Sequence, residues 1–103
     1  MKTATISLVA VAFLAGSTAP AVAADPPAGR LLASQCFQCH GTNGVSQSDI
    51  PEINGISANE MFQALREFKT STDTVMNQQA KVYTDAELQL IANYFATLPG
   101  GGN

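Results

Sequence analysis

The chain has 103 residues, with 5 Lys and Arg, 8 Asp and Glu, and a formal net charge of −3. This length allows one small domain. The negative charge argues against binding to nucleic acid or to an anionic membrane surface, because both attract cationic proteins. The acidity fits a partner with a positively charged docking face, or it serves only solubility.

Residues 1–23 have the pattern of a secretory signal peptide. Lys2 supplies a positive start, residues 6–15 are apolar, and Ala21-Val22-Ala23 fits the small-x-small cleavage pattern. A membrane anchor is the alternative, but a spanning helix needs about 20 apolar residues. We predict cleavage after Ala23 or Ala24, a mature domain over 24–103, a periplasmic location and no membrane span.

The first helix is predicted over residues 28–39. Leu31, Leu32, Cys36 and Cys39 recur at helical spacing. Two prolines precede them, and proline is favoured in the first turn of a helix. This helix therefore carries both cysteines of the chain.

The segment Cys36-Phe37-Gln38-Cys39-His40 reads C-x-x-C-H, the attachment motif of a c-type haem. Two thiols at this spacing can form thioethers with the two vinyl groups of a porphyrin, and the histidine can bind the iron. A redox dithiol, a structural disulfide and half of a zinc site are alternatives, but no βαβ pattern and no second ligand pair accompany the motif. The sequence predicts one covalent haem c.

A turn at 41–44 and a polar loop follow the first helix. Two further helices come after the loop, and each begins with the sequence pattern of a capping box. Ser57 and Glu60 predict a helix that ends near Lys69, with Met61 on its apolar face. Thr84 and Glu87 predict a last helix that ends at 98–100. Without strand-like alternation, the expected fold is all-α, with three main helices around one haem.

The second axial ligand of the iron has four candidates: Met61, Met76, a lysine, or none. Met61 lies on an apolar helix face, where methionine usually fills the core. Met76 lies in a segment predicted as irregular, and a loop can bring a thioether to the iron. We predict Met76 opposite His40. Histidine and methionine together raise the redox potential and suit electron transfer.

With these features the chain resembles a class I cytochrome c. The resemblance implies that Gly29 lets the first helix cross Tyr94 of the last one. It also implies that the Pro51 carbonyl orients His40 and that Ile53 packs on the haem. The segment 51–55, which reads P-E-I-N-G, carries that part of the likeness.

A narrower resemblance covers residues 39–44, 64–69, 76–88 and 92–96, which are similar to the cytochrome subunit of flavocytochrome c sulfide dehydrogenases. Met76 stands four residues before Ala80, as the ligand does in that subfamily. Thr70-Ser71-Thr72-Asp73 replaces a usual Gly-Lys-Arg run, and Val82 a usual glycine.

This narrower resemblance implies a haem subunit without enzymatic activity of its own. It would accept electrons from a flavin-containing subunit and pass them to a downstream acceptor. A free c553- or c4-like carrier is the alternative. A haem sensor or peroxidase with a labile sixth ligand is a further one.

Overall fold

The computed structural model describes residues 2–5, 16 and 27–100. The predicted signal peptide falls mostly outside these residues, and its cleavage site falls entirely outside them. The described part contains helices and no strands, so the predicted all-α class is confirmed. None of its helices has the length and apolar character needed to cross a membrane.

The first helical run consists of α1 (Arg30–Ala33), a 3₁₀ turn (Ser34–Cys36) and α2 (Phe37–His40). These segments follow one another directly, so the predicted helix is present with a tighter middle turn. Gly41 ends it, because its φ of 85° leaves the right-handed helical region. The run therefore delivers one cysteine from the 3₁₀ turn and the other from α2.

Helices α3 (Ala58–Phe68) and α5 (Asp85–Ala96) begin where their capping boxes predict. The Ser57 hydroxyl accepts a hydrogen bond from the Glu60 N–H at 3.2 Å. At the start of α5, the backbone N–H of Thr84 donates to the Glu87 carboxylate at 2.9 Å, and the backbone N–H of Glu87 donates to the Thr84 hydroxyl at 3.1 Å. These bonds satisfy donors that a helix start otherwise leaves unpaired.

A short helix, α4 (Val75–Lys81), occupies the segment that the sequence analysis predicted as irregular. That part of the prediction is wrong: Met76 lies in the first turn of a helix. Thr74 and Asn77 form the capping box of α4, with asparagine at the position where the usual pattern has Glu or Gln. The helix is also too short, at 7 residues, to show a clear apolar period.

The core lies between α3 and α5, with α1 packed across α5. Leu88, Ile91 and Phe95 of α5 are its largest fully buried side chains. Gly29 has a φ of 82°, and a Cβ there would collide with the Leu90 carbonyl oxygen. The close approach of the first helix is therefore to the α5 backbone at Leu90, one turn before the predicted crossing at Tyr94.

Polar contacts tie the end of α3 to the start of α5. Lys69 Nζ donates to the Tyr83 carbonyl at 2.8 Å and lies 3.2 Å from Asp85. Arg66 adds a second contact to Asp85 at 3.5 Å. Exposed ion pairs contribute little stability, but the bond to the Tyr83 carbonyl fixes the chain between α4 and α5.

We expect Gly29→Ala to lower the free energy of unfolding of the haem-loaded protein by about 2 kcal/mol or more. A left-handed conformation costs an L-residue about 1–2 kcal/mol, and the collision with the Leu90 carbonyl adds to that cost. Gly55→Ala is the matched control, because Gly55 also has positive φ but a Cβ there lies 3.1 Å from its nearest neighbour, the Gly100 carbonyl oxygen. Equal losses in urea titrations of the two variants would contradict the close approach.

Candidate haem site

A cavity of about 450 Å³ lies between the cysteine-bearing helical run and helices α3, α4 and α5. Cofactor pockets typically measure about 300–1,000 Å³. Its wall is largely apolar, with side chains from three helices, among them Met61, Leu65, Phe68, Met76, Ile91 and Phe95. A large, flat, apolar group would fill the middle of this small domain.

All three residues of the attachment motif reach this cavity: Cys36, Cys39 and His40. Cys36 is half-buried, whereas Cys39 is exposed at the mouth. Burial, and to a lesser extent the neighbouring Cys39, raises the pKa of the Cys36 thiol to about 11. The site therefore favours a neutral sulfur at this position, and a thioether is neutral.

His40 is the last residue of α2, and its Nδ1 lies 2.7 Å from the carbonyl oxygen of Pro51. A carbonyl can only accept a hydrogen bond, so Nδ1 carries the proton and donates it. The lone pair of the ring is then on Nε2, the nitrogen left available to bind a metal. The hydrogen bond thereby sets both the tautomer and the orientation of the imidazole.

Backbone hydrogen bonds hold the segment that carries Pro51 in place. The N–H of Ile53 donates to the Gly44 carbonyl at 3.0 Å, and the N–H of Gly55 donates to the Phe95 carbonyl at 3.0 Å. The first bond ties the segment to the turn after α2, and the second ties it to α5. Ile53 lines the cavity beside Pro51.

Both candidate methionines line the cavity, but their surroundings differ. Met61 is only 6% exposed and belongs to the hydrophobic core cluster. Met76 is half-buried in the first turn of α4. Among the described residues no lysine lines the cavity, and the Lys69 ammonium is bound at Tyr83 and Asp85. Met76 is therefore the methionine whose side chain is less tightly packed and freer to reach an iron bound in the cavity.

The model of the cytochrome c family matches residues 28–99. The chain belongs to the cytochrome c family. It is therefore an electron-transfer protein, and covalently attached haem c is the cofactor of its family. The matched range contains the cysteines, the histidine and every helix described above.

Three relatives narrow the position of this cytochrome within the family. It is 47% identical over 72 residues to the cytochrome subunit of sulfide dehydrogenase of Chlorobaculum tepidum, which covers 68% of this chain and 66% of that protein. It is 34% identical over 65 residues to cytochrome c-552 of Acidithiobacillus ferridurans, covering 61% and 28%. It is 30% identical over 105 residues to cytochrome c-553 of Nitratidesulfovibrio vulgaris, covering 95% and 100%.

The predicted resemblance to the sulfide dehydrogenase cytochrome subunit is therefore confirmed. The aligned part spans just under two thirds of that relative's length.

The residues present fit a haem c. The cavity is apolar, the paired thiols and the imidazole share it, and the imidazole has the tautomer that binds iron. Cys36 and Cys39 would hold the group by thioethers, and His40 would bind its iron.

Sequence reasoning did not place polar side chains on the cavity wall of this cytochrome, and Gln79 is one of them. Its Nε2 donates to the hydroxyl of buried Tyr83 at 3.4 Å. Burial, as the largest cause, raises the pKa of Tyr83, so the phenol stays neutral. The signal lies in the spacing, since Gln79 follows Met76 by three residues, but that spacing has meaning only once α4 is known to be helical.

We expect the double variant Cys36→Ser, Cys39→Ser to be largely unfolded, because it cannot hold the group that fills the cavity and a domain this small has little other core. Near-UV circular dichroism of the purified variant measures this. Gln38→Ser is the control, since Gln38 is exposed within the same motif and should keep both haem and fold. A native-like near-UV spectrum in the double variant would contradict the prediction.

Proposed function

We propose that this cytochrome carries one electron at a time on a single six-coordinate haem with His40 and Met76 as axial ligands. Thioethers to Cys36 and Cys39 would attach the haem. When bound, it supplies an iron that changes reversibly between the ferrous and ferric states. The observation that carries the proposal is that the Pro51-bound imidazole and the Met76 side chain line one apolar cavity.

The residues around the iron have distinct parts in this proposal. The Pro51 carbonyl holds the imidazole in its iron-binding tautomer, and Ile53 packs against the macrocycle and excludes water. The Met76 thioether is a soft, neutral ligand that favours ferrous iron and raises the potential. With both axial positions filled, the iron has no open position for oxygen or peroxide, which suits a carrier rather than a haem enzyme.

We expect Met76→Ala to abolish the near-infrared charge-transfer band from methionine to ferric iron. The same variant should lower the potential by on the order of 0.1 V or more, since axial ligation and surroundings tune haem potentials over about 0.8 V. Absorption spectra and redox titrations of the purified protein measure both effects. Met61→Ala is the control, because Met61 lines the same cavity and should keep the band despite some loss of stability.

Two outcomes would overturn this ligand assignment. One is survival of the band in Met76→Ala with its loss in Met61→Ala. The other is rapid binding of carbon monoxide to the reduced wild-type protein at neutral pH, which would indicate an open or labile sixth position and favour a sensor or peroxidase.

We further propose that the electron donor is a flavin-containing subunit that oxidises sulfide, and that the protein acts in the periplasm after removal of residues 1–23. The support is the 47% identity to a protein named as the cytochrome subunit of sulfide dehydrogenase. This chain would contribute the haem and no catalytic group, and it would pass its electrons to a downstream acceptor. Its acidity would favour a positively charged docking face on the partner.

A free electron carrier is the second candidate function. The observation that favours it is the match to cytochrome c-553, which covers 95% of this chain and all of that protein. The two functions differ in whether the cytochrome purifies alone or in a complex with a second chain.

We expect a gentle purification from the native host to yield the cytochrome together with a flavin-containing chain, and we expect sulfide to reduce the haem in that fraction. Size-exclusion chromatography with detection of haem and flavin absorbance measures the first point. Mass spectrometry of the same fraction gives the leader cleavage site, after Ala23 or Ala24. Elution as a free small protein at physiological ionic strength would favour the independent carrier.

A further inference from the structure

We propose that Asn77 is a positioning residue that holds Met76 in its iron-binding place. This inference rests on the proposed function, in which the Met76 thioether binds the iron. Asn77 itself does not contact the iron in this proposal. It acts by fixing the start of the helix that carries the ligand.

Asn77 is only 6% exposed, and its side-chain amide makes three hydrogen bonds. Its Oδ1 accepts from the backbone N–H of Thr74 at 2.7 Å and from the Thr74 hydroxyl at 2.8 Å. Its Nδ2 donates to the carbonyl oxygen of Phe68 at 2.8 Å. The Thr74 hydroxyl also accepts from the backbone N–H of Asn77 at 3.2 Å. We call this set of bonds the Asn77 clamp.

The clamp joins the end of α3 to the start of α4. Phe68 is the last residue of α3 and lines the cavity, and Met76 is the second residue of α4 and lines it too. One buried amide therefore sets the separation of two cavity walls. A helix of 7 residues is not stable alone, so the position of Met76 depends on how α4 is anchored.

The segment between these two helices, residues 69–74, lies mostly at the surface, and its links are to α4 and the chain after it: Gln78 Nε2 donates to the Thr72 carbonyl at 3.3 Å, and Lys69 donates to the Tyr83 carbonyl. Thr72, Asp73 and Thr74 are exposed, and Val75, the first residue of α4, is 77% exposed. The buried amide next to Met76 therefore holds in place a connection that has few buried contacts.

The alternative is that Asn77 is an ordinary helix cap that contributes stability and nothing to ligation. The chain offers a matched comparison, because Thr84 and Glu87 form the same kind of capping box on α5. That box begins a helix with no proposed iron ligand. Glu87 is directed to the backbone N–H of Thr84, whereas Asn77 also reaches across to α3. Loss of either box should lower stability, but only loss of the Asn77 clamp should loosen the methionine.

The experiment compares Asn77→Ala, Thr74→Ala and Thr84→Ala in the haem-loaded ferric protein, with added imidazole as a competitor for the methionine position. We expect imidazole to bind about tenfold more tightly to Asn77→Ala, a change of about 1.4 kcal/mol. Thr74→Ala should show a smaller increase, because it keeps the bonds of Asn77 to the Thr74 N–H and to the Phe68 carbonyl, and Thr84→Ala should bind imidazole as the wild type does. Thr74→Ser should restore the wild-type affinity, because it keeps the hydroxyl. Thermal unfolding of each variant reports the general loss of stability.

Unchanged imidazole affinity in Asn77→Ala and Thr74→Ala would overturn the inference, and so would an equal increase in Thr84→Ala. If Asn77→Ala does not fold, the comparison of Thr74→Ala with Thr74→Ser decides. Met76→Ala separates this inference from the proposed function. If Met76→Ala keeps the near-infrared band, the ligand assignment fails; if it loses the band while the clamp variants behave as wild type, only the role of Asn77 fails.

Discussion

The structure depends on one constraint, which is that a small domain, matched by the family over residues 28–99, must close around a large apolar cavity. The 3₁₀ turn before α2, and the helices α2, α3, α4 and α5, all contribute residues to the wall of that cavity. The helical run before Gly41 brings the cysteines and the histidine, and α3, α4 and α5 supply the apolar sides. A small domain buries too little surface to be robust, so a covalently attached haem serves as core and cofactor together.

The same closure explains why the protein transfers electrons. The histidine is fixed by a backbone carbonyl, which cannot change its charge or its chemical identity. The surrounding segment is tied to the turn after α2 and to α5 by backbone hydrogen bonds. A histidine held in this way would change little when a bound iron changes its oxidation state. A small structural change between states is what rapid one-electron transfer requires.

The α3–α4 connection combines two different demands. It leads into α4, which carries the proposed second ligand, and the surface there exposes Val75 at the start of α4 and Val82 just after its end. In our proposal the buried amide of Asn77 fixes the backbone at the start of α4, so the exposed side chains nearby are not needed to hold the ligand in place. The identity of a redox partner would be set on that outer face.

The sequence by itself determined the chemistry of attachment, the all-α class and two of the helix starts. C-x-x-C-H is a local pattern in which the spacing of the thiols fixes the chemistry, and the caps at Ser57 and Thr84 form hydrogen bonds within one helical turn. Only the tertiary structure decided the rest. Helix α4 is too short for an apolar period to reveal it. The difference in burial between Met61 and Met76 comes from the way α3 and α4 pack around the cavity. Gln79 lines the cavity only because α4 is helical and packs there, and Asn77 bonds the Phe68 carbonyl only because the end of α3 lies beside the start of α4.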